Sequence, residues 1–152
     1  MCPPGGFTLL EVLISTAISA VLLLSVVPAV LNGLSHYALY SAARQMATDI
    51  RGWQQQALAA GDTFSTYSVQ FDPANEVYYL MQNNVSREKQ RMPVYLDLDF
   101  TNFPSEKLGF NLRGIPVPRG GTVTLREKLT GKKYCVIVAP VTGRVRISPL
   151  PS

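Results

Sequence analysis

Apolar residues run almost unbroken from Phe7 to Leu34, recur every three or four positions as far as Ala60, and alternate with polar ones from Thr66 onward. These three patterns predict a lipid-length helix, an amphipathic helix and a set of half-buried strands. The first run, FTLLEVLISTAISAVLLLSVVPAVLNGL, carries Glu11 as its only charged residue. At about 1.5 Å per residue it is long enough to cross a hydrocarbon core of about 30 Å. Pro28 removes one helical hydrogen bond, so a bend or melted turn is expected there, with Gly33 as a further weak point.

From Ser35 the helix continues amphipathically. Leu39, Ala43, Met46, Ile50, Trp53, Ala57 and Ala60 are spaced alternately by four and three, which gives one packing face. Arg44, Gln45, Thr48, Asp49 and the residues from Arg51 to Gln56 fall mostly on the other side, and Gly61-Asp62 supplies a stop. Beyond it, Thr66–Asp72 and Glu76–Met81 form a predicted hairpin around the turn Pro73-Ala74-Asn75. Further strands are expected over Val94–Asp99, Leu108–Leu112, Thr122–Leu129, Tyr134–Ala139 and Arg144–Ser148. Asn83–Pro93, polar and of mixed charge, reads as a mobile loop.

The predicted class is therefore α+β: a long N-terminal helix, membrane-spanning in its first half, packed on an antiparallel β-sheet head. The expected division is a leader at 1–6, a transmembrane and assembly helix at 7–34, and a head at 35–152 containing the second half of the helix (35–60) and the sheet (64–148).

Length and composition refine this picture. A chain of 152 residues leaves room for one small globular head after the apolar segment. The 47% hydrophobic fraction is inflated by that segment. Cys2 and Cys135 are the two cysteines. Loss of the leader would discard Cys2, leaving Cys135 as a small buried strand residue with no intramolecular disulfide partner. The net charge of +4 is unevenly spread. From Arg113 onward, Arg113, Arg119, Arg126, Lys128, Lys132, Lys133, Arg144 and Arg146 stand against the single acid Glu127, so the C-terminal third is basic.

Two features of the N-terminus carry chemistry. A secretory signal would begin with positive charge, carry a shorter apolar stretch and end in a small-residue cleavage site after it. Here Gly5-Gly6 precedes the apolar run. A carboxylate in hydrocarbon costs at least about 2.5 kcal/mol unless partnered, so Glu11 is a functional residue by default.

The segment Gly6-Phe7-Thr8-Leu9-Leu10-Glu11-Val12 resembles the prepilin peptidase site of type IV pilins and pseudopilins. The resemblance implies cleavage between Gly6 and Phe7, N-methylation of Phe7, and a role for Glu11 in assembly, paired with the Phe7 amine of a neighbouring subunit. It also implies a prepilin peptidase, other major or minor pilins or pseudopilins, an inner-membrane assembly platform and membrane lipid as partners. The chain would sit single-pass in the inner (cytoplasmic) membrane with its head outside the cytoplasm, and then enter a pilus or pseudopilus. The leader MCPPGG departs from the family pattern in having no Lys or Arg. The head resembles the GspH/FimT branch through ATDIRGWQQQALAAG, YSVQFDPANEVYYL, LGFNLRGIPVPRGGTVTL and VIVAPVTGRVRIS, in that order.

Nothing in the sequence suggests catalysis, a cofactor or a bound metal. The sole histidine, His36, has no cysteine or paired carboxylates near it and reads as surface or interface filler. Asp97 and Asp99 share one strand face, which a solvated surface explains. Gly120-Gly121 lacks the context of a phosphate loop. Thr142-Gly143-Arg144-Val145-Arg146-Ile147 is different, because strand alternation sends Arg144 and Arg146 to one face and Val145 and Ile147 to the other. With Lys132, Lys133 and Arg119 added, such a face suits the phosphates of double-stranded DNA. The FimT side of the family is similar here, with a glycine-arginine-any-arginine motif implicated in DNA uptake and matched by Gly143 to Arg146. Two other readings stand beside it: a merely solvated or filament-facing basic strand, and a GspH-like minor pseudopilin of type II secretion acting in protein export without DNA.

Overall fold

The computed structural model describes residues 8–61 and 66–150, and within the helix it leaves out the side chains of Ser25, Pro28, Ala29 and Asn32. One helix, α1, spans Leu9–Ala60. The chain divides into two compact units, Met1–Ser35 and His36–Ser152.

In the first unit α1 is preceded by Thr8, whose Oγ1 accepts the Glu11 backbone N–H at 3.2 Å. Thr8-x-x-Glu11 is the spacing of a capping box, and an acidic side chain in the first turn also suits the positive end of the helix dipole. The helix then runs without interruption through the backbone of Pro28 and Gly33. The melted turn expected at Pro28 is absent, because proline removes only its own hydrogen bond and the flanking turns keep theirs. The hydroxyls of Ser15, Thr16 and Ser19 donate to the carbonyls of Glu11, Leu13 and Ser15 at 2.8, 2.9 and 2.8 Å. They are thereby spent on the helix itself while Leu9, Leu13, Val21 and Leu24 stay exposed. Among the described residues no helix is long and apolar enough to cross a membrane.

In the second unit Leu39, Ala43, Met46, Ile50, Trp53 and Ala57 of the face that the four-three spacing predicts are buried, Ala60 is half-buried, and Ala47 is buried beside them. Each fully buried Leu or Ile contributes on the order of 1.5–3 kcal/mol. The strands are β1 (Tyr67–Asp72), β2 (Val77–Gln82), β3 (Val85–Arg91), β4 (Leu96–Thr101), β5 (Lys107–Phe110), β6 (Pro116–Val117), β7 (Gly121–Glu127), β8 (Lys133–Val138) and β9 (Val145–Leu150). They make two antiparallel sheets, ordered β3-β2-β1-β5-β6 and β4-β7-β8-β9. Helix and sheets share one core, in which Phe71 stacks on Phe103 at 5.5 Å and Trp53 meets Tyr67 edge-on at 5.8 Å. Two polar tethers reach from the helix into the sheet: Trp53 Nε1 donates to the Met81 carbonyl at 3.0 Å, and Asp49 accepts the Tyr78 hydroxyl at 2.5 Å.

Asn83–Pro93 is not a loop. It contains β3, which pairs with β2 around Asn83-Asn84, both of positive φ (52° and 61°). Asparagine tolerates that conformation, and two such residues close a tight hairpin. β3 exposes nearly all its side chains, so no period-two apolar signal marks it. Val94 and Tyr95 leave the predicted Val94–Asp99 strand for a turn closed by Leu96 N–H on the Pro93 carbonyl at 2.9 Å, and the strand observed there, β4, starts at Leu96.

Candidate functional site

The predicted site residues divide by location. Gly6 and Phe7 lie outside the described residues. Glu11 lies exposed in the first turn of α1, where its carboxylate has no cationic partner among the described residues.

The β8–β9 connection is built by two backbone hydrogen bonds, Ala139 N–H to the Arg144 carbonyl at 3.0 Å and Gly143 N–H to the Ala139 carbonyl at 2.9 Å. Gly143 is buried with φ +64°, and a Cβ there would collide with Gln54 Nε2 and the Gly114 carbonyl. Its role is to let the turn close against the helix and the β5–β6 loop, so of the motif only the two arginines are available for contact. Arg144 and Arg146 are exposed, while Val145 is buried and Ile147 half-buried.

Arg119 lies beside this turn, since a Cβ on the adjacent Gly120 would collide with the Val138 carbonyl and Pro140. Lys132 and Lys133 do not. The register places Val138 opposite Val145 and Lys133 opposite Leu150, so the lysines occupy the far end of β8. Lys133 is moreover paired with Asp99 at 2.7 Å, and Arg126 with Asp97 at 2.5 Å, so the aspartate row is neutralised by its own sheet.

Two cations that sequence alone did not assign join the arginine cluster. Arg51 Nη2 donates to the Val145 carbonyl at 2.6 Å, and Arg113 precedes Gly114, on whose carbonyl Gly143 packs. Gln54 Nε2 also holds the Gly114 carbonyl at 2.6 Å. The polar helix face contained the signal, but helical periodicity cannot say which strand it meets. Neither Asn111–Gly121 nor Val138–Ile147 contains an acid. Among the described residues the ion pairs fall on Arg126, Lys128 and Lys133, and none on Arg51, Arg113, Arg119, Arg144 or Arg146. Among the described residues this end is thus a positive surface without paired acids, suited to a polyanion.

His36 is exposed, with Nε2 3.2 Å from the Tyr134 hydroxyl and its ring edge-on to that tyrosine. Cys135 is buried beside the Thr124 hydroxyl at 3.4 Å. Among the described residues no cluster of His, Cys, Asp and Glu is arranged to hold a metal ion.

Residues 4–27 match the prokaryotic N-terminal methylation motif, and the helix on antiparallel sheets is similar in fold to a minor pseudopilin and a minor pilin. Among solved structures, the fold is similar to that of the minor pseudopilin EpsH from the Type 2 Secretion System of Vibrio cholerae, with 14% identity and a TM-score of 0.58 over 73% of this chain and 96% of that one. It is likewise similar to the type IV minor pilin FimU of Pseudomonas aeruginosa, with 15% identity and a TM-score of 0.55 over 76% of this chain and 90% of that one. No curated protein matches the chain.

Proposed function

We propose that the chain is a minor pilin-like subunit, inserted in the membrane by residues 7–34, cut and methylated at Gly6-Phe7, and packed by its helix into a pilus-like filament. The reading is carried by one coincidence: a methylation motif at residues 4–27 covers the start of a helix whose apolar side chains are exposed there, in a chain whose head has the pilin-like fold. An all-round apolar helix requires lipid or other helices as its solvent. Glu11, desolvated there, takes a neighbouring subunit's Phe7 amine as its partner. Intact mass of the protein recovered from a host carrying a prepilin peptidase tests this. Wild type should begin at a methylated Phe7 and Gly6→Val should retain the leader; unchanged processing of the variant refutes the assignment.

The head binds double-stranded DNA through Arg144 and Arg146, helped by Arg119. Support comes from their exposure and from the absence of acids in the surrounding loops. Such binding is independent of sequence and weakens with salt. In a titration of the detergent-solubilised chain, Arg144→Ala/Arg146→Ala should lose most affinity at low salt and Lys132→Ala little. Equal binding by the double variant sinks the DNA reading. The remaining alternative, a minor pseudopilin serving protein export without nucleic acid, is supported by the likeness in fold to EpsH.

A further inference from the structure

The opposite end of the head gathers exposed apolar residues where soluble surface would be expected. Val94 and Leu129, each 86% exposed, sit on two neighbouring turns joined by Lys128 N–H to the Tyr95 carbonyl at 3.0 Å. Leu96 pairs with Glu127, and Arg126 with Lys133, so both turns lie at the end of the sheet where β8 begins. There Tyr134 touches His36 and Tyr40. Exposed Tyr37 and Tyr95 add two amphipathic rings.

Charge at this end is selectively cancelled. Lys128 pairs with Glu76 at 2.6 Å, Lys133 with Asp99, and the Glu127 carboxylate is folded into its own turn by Thr130 and Leu129. Arg91 and Lys132 remain exposed, with no ion pair among the described residues, the Lys132 charge acting on Glu127 only from beyond ion-pair distance.

We infer that this end of the head is an interfacial membrane contact: Val94 and Leu129 enter the headgroup layer, Tyr37 and Tyr95 lie at its level, and Arg91 and Lys132 meet anionic lipid phosphates. Apolar tips, tyrosines and basic side chains in one patch are the composition that partitions to a bilayer surface. The bilayer is favoured over a protein partner by covalent continuity, since the head begins at His36, directly after the segment read as membrane-inserted. The inference rests on that reading. Val141, 76% exposed on the β8–β9 turn at the other end, has no such constraint.

The test uses the full chain in vesicles of phosphatidylethanolamine and phosphatidylglycerol, with acyl-brominated lipid as quencher. Trp53 is the only native tryptophan and gives the background to subtract. Leu129→Trp and Val94→Trp should be quenched at least about twofold more than Val141→Trp, and adding Arg91→Glu/Lys132→Glu should roughly halve that excess. Quenching of Leu129→Trp no greater than of Val141→Trp, in chain that floats with the vesicles, overturns the contact while leaving membrane insertion intact. Equal quenching with the charges reversed overturns the phosphate part. Chain that fails to float overturns insertion and contact together.

Discussion

Arg51 Nη2 donates to the Val145 carbonyl at 2.6 Å, joining the helix to the first residue of β9. Because the Arg144 carbonyl is taken by Ala139 N–H, the next carbonyl points away from β8 toward the open edge of the sheet. The helix therefore closes the edge at the point where the two exposed arginines emerge. Arg51→Ala should cost about 1–2 kcal/mol in urea unfolding. Arg51→Lys, which keeps the charge without the planar fork, should recover only part of it.

Gly143 separates conformational strain from packing. Gly143 and Gly131 share a positive φ, +64° and +70°, yet a Cβ at Gly131 meets nothing within 4 Å while one at Gly143 runs into backbone. Gly131→Ala should cost about 1 kcal/mol for the left-handed conformation alone. Gly143→Ala should cost that and roughly 1–3 kcal/mol more, because the Gly114 carbonyl must move. Thermal unfolding of the two variants side by side gives the comparison, and equal losses would refute the packing role.

Why the head was legible and the site only partly so follows from these residues. The helix face from Leu39 to Ala57 and the β1–β2 hairpin announce themselves because burial imposes a period. β3 imposes none, since solvent meets both faces, and only Asn83-Asn84 hinted at its hairpin. Arg144 and Arg146 could be placed on one face from alternation within a single strand. Whether Lys132, Lys133 or Arg119 stood next to them depended on the register of β8 against β9 and on a close approach at Gly120, which no local pattern encodes.

Tyr78 offers a base-sensitive contact. Burial first, and then its hydrogen bond to Asp49 and that carboxylate's charge, push the phenol well above its ordinary value of 10.0. A raised folded-state value means the proton is held more tightly in the native chain, so this stabilisation is complete below pH about 10 and declines above it. Tyr78→Phe should lose about 1–2 kcal/mol at neutral pH and show a shallower loss of stability between pH about 9 and 11. Urea midpoints at the two pH values report both effects.

Glu127 provides the converse at acid pH. Burial alone would raise its carboxyl, but hydrogen bonds from the Thr130 side chain and backbone and from Leu129 N–H, together with the charge of Lys132, hold it below its ordinary 4.5. A depressed folded-state value contributes stability that is fully present above pH about 4.5 and is lost as pH falls through the folded value. The difference between wild type and Glu127→Gln isolates the turn, because the glutamine does not titrate and every other group is common to both. Urea midpoints should favour wild type at pH 7 and converge toward the variant by pH about 3. A difference that stays constant over that range would mean that the charge of Glu127 does not hold the β7–β8 turn.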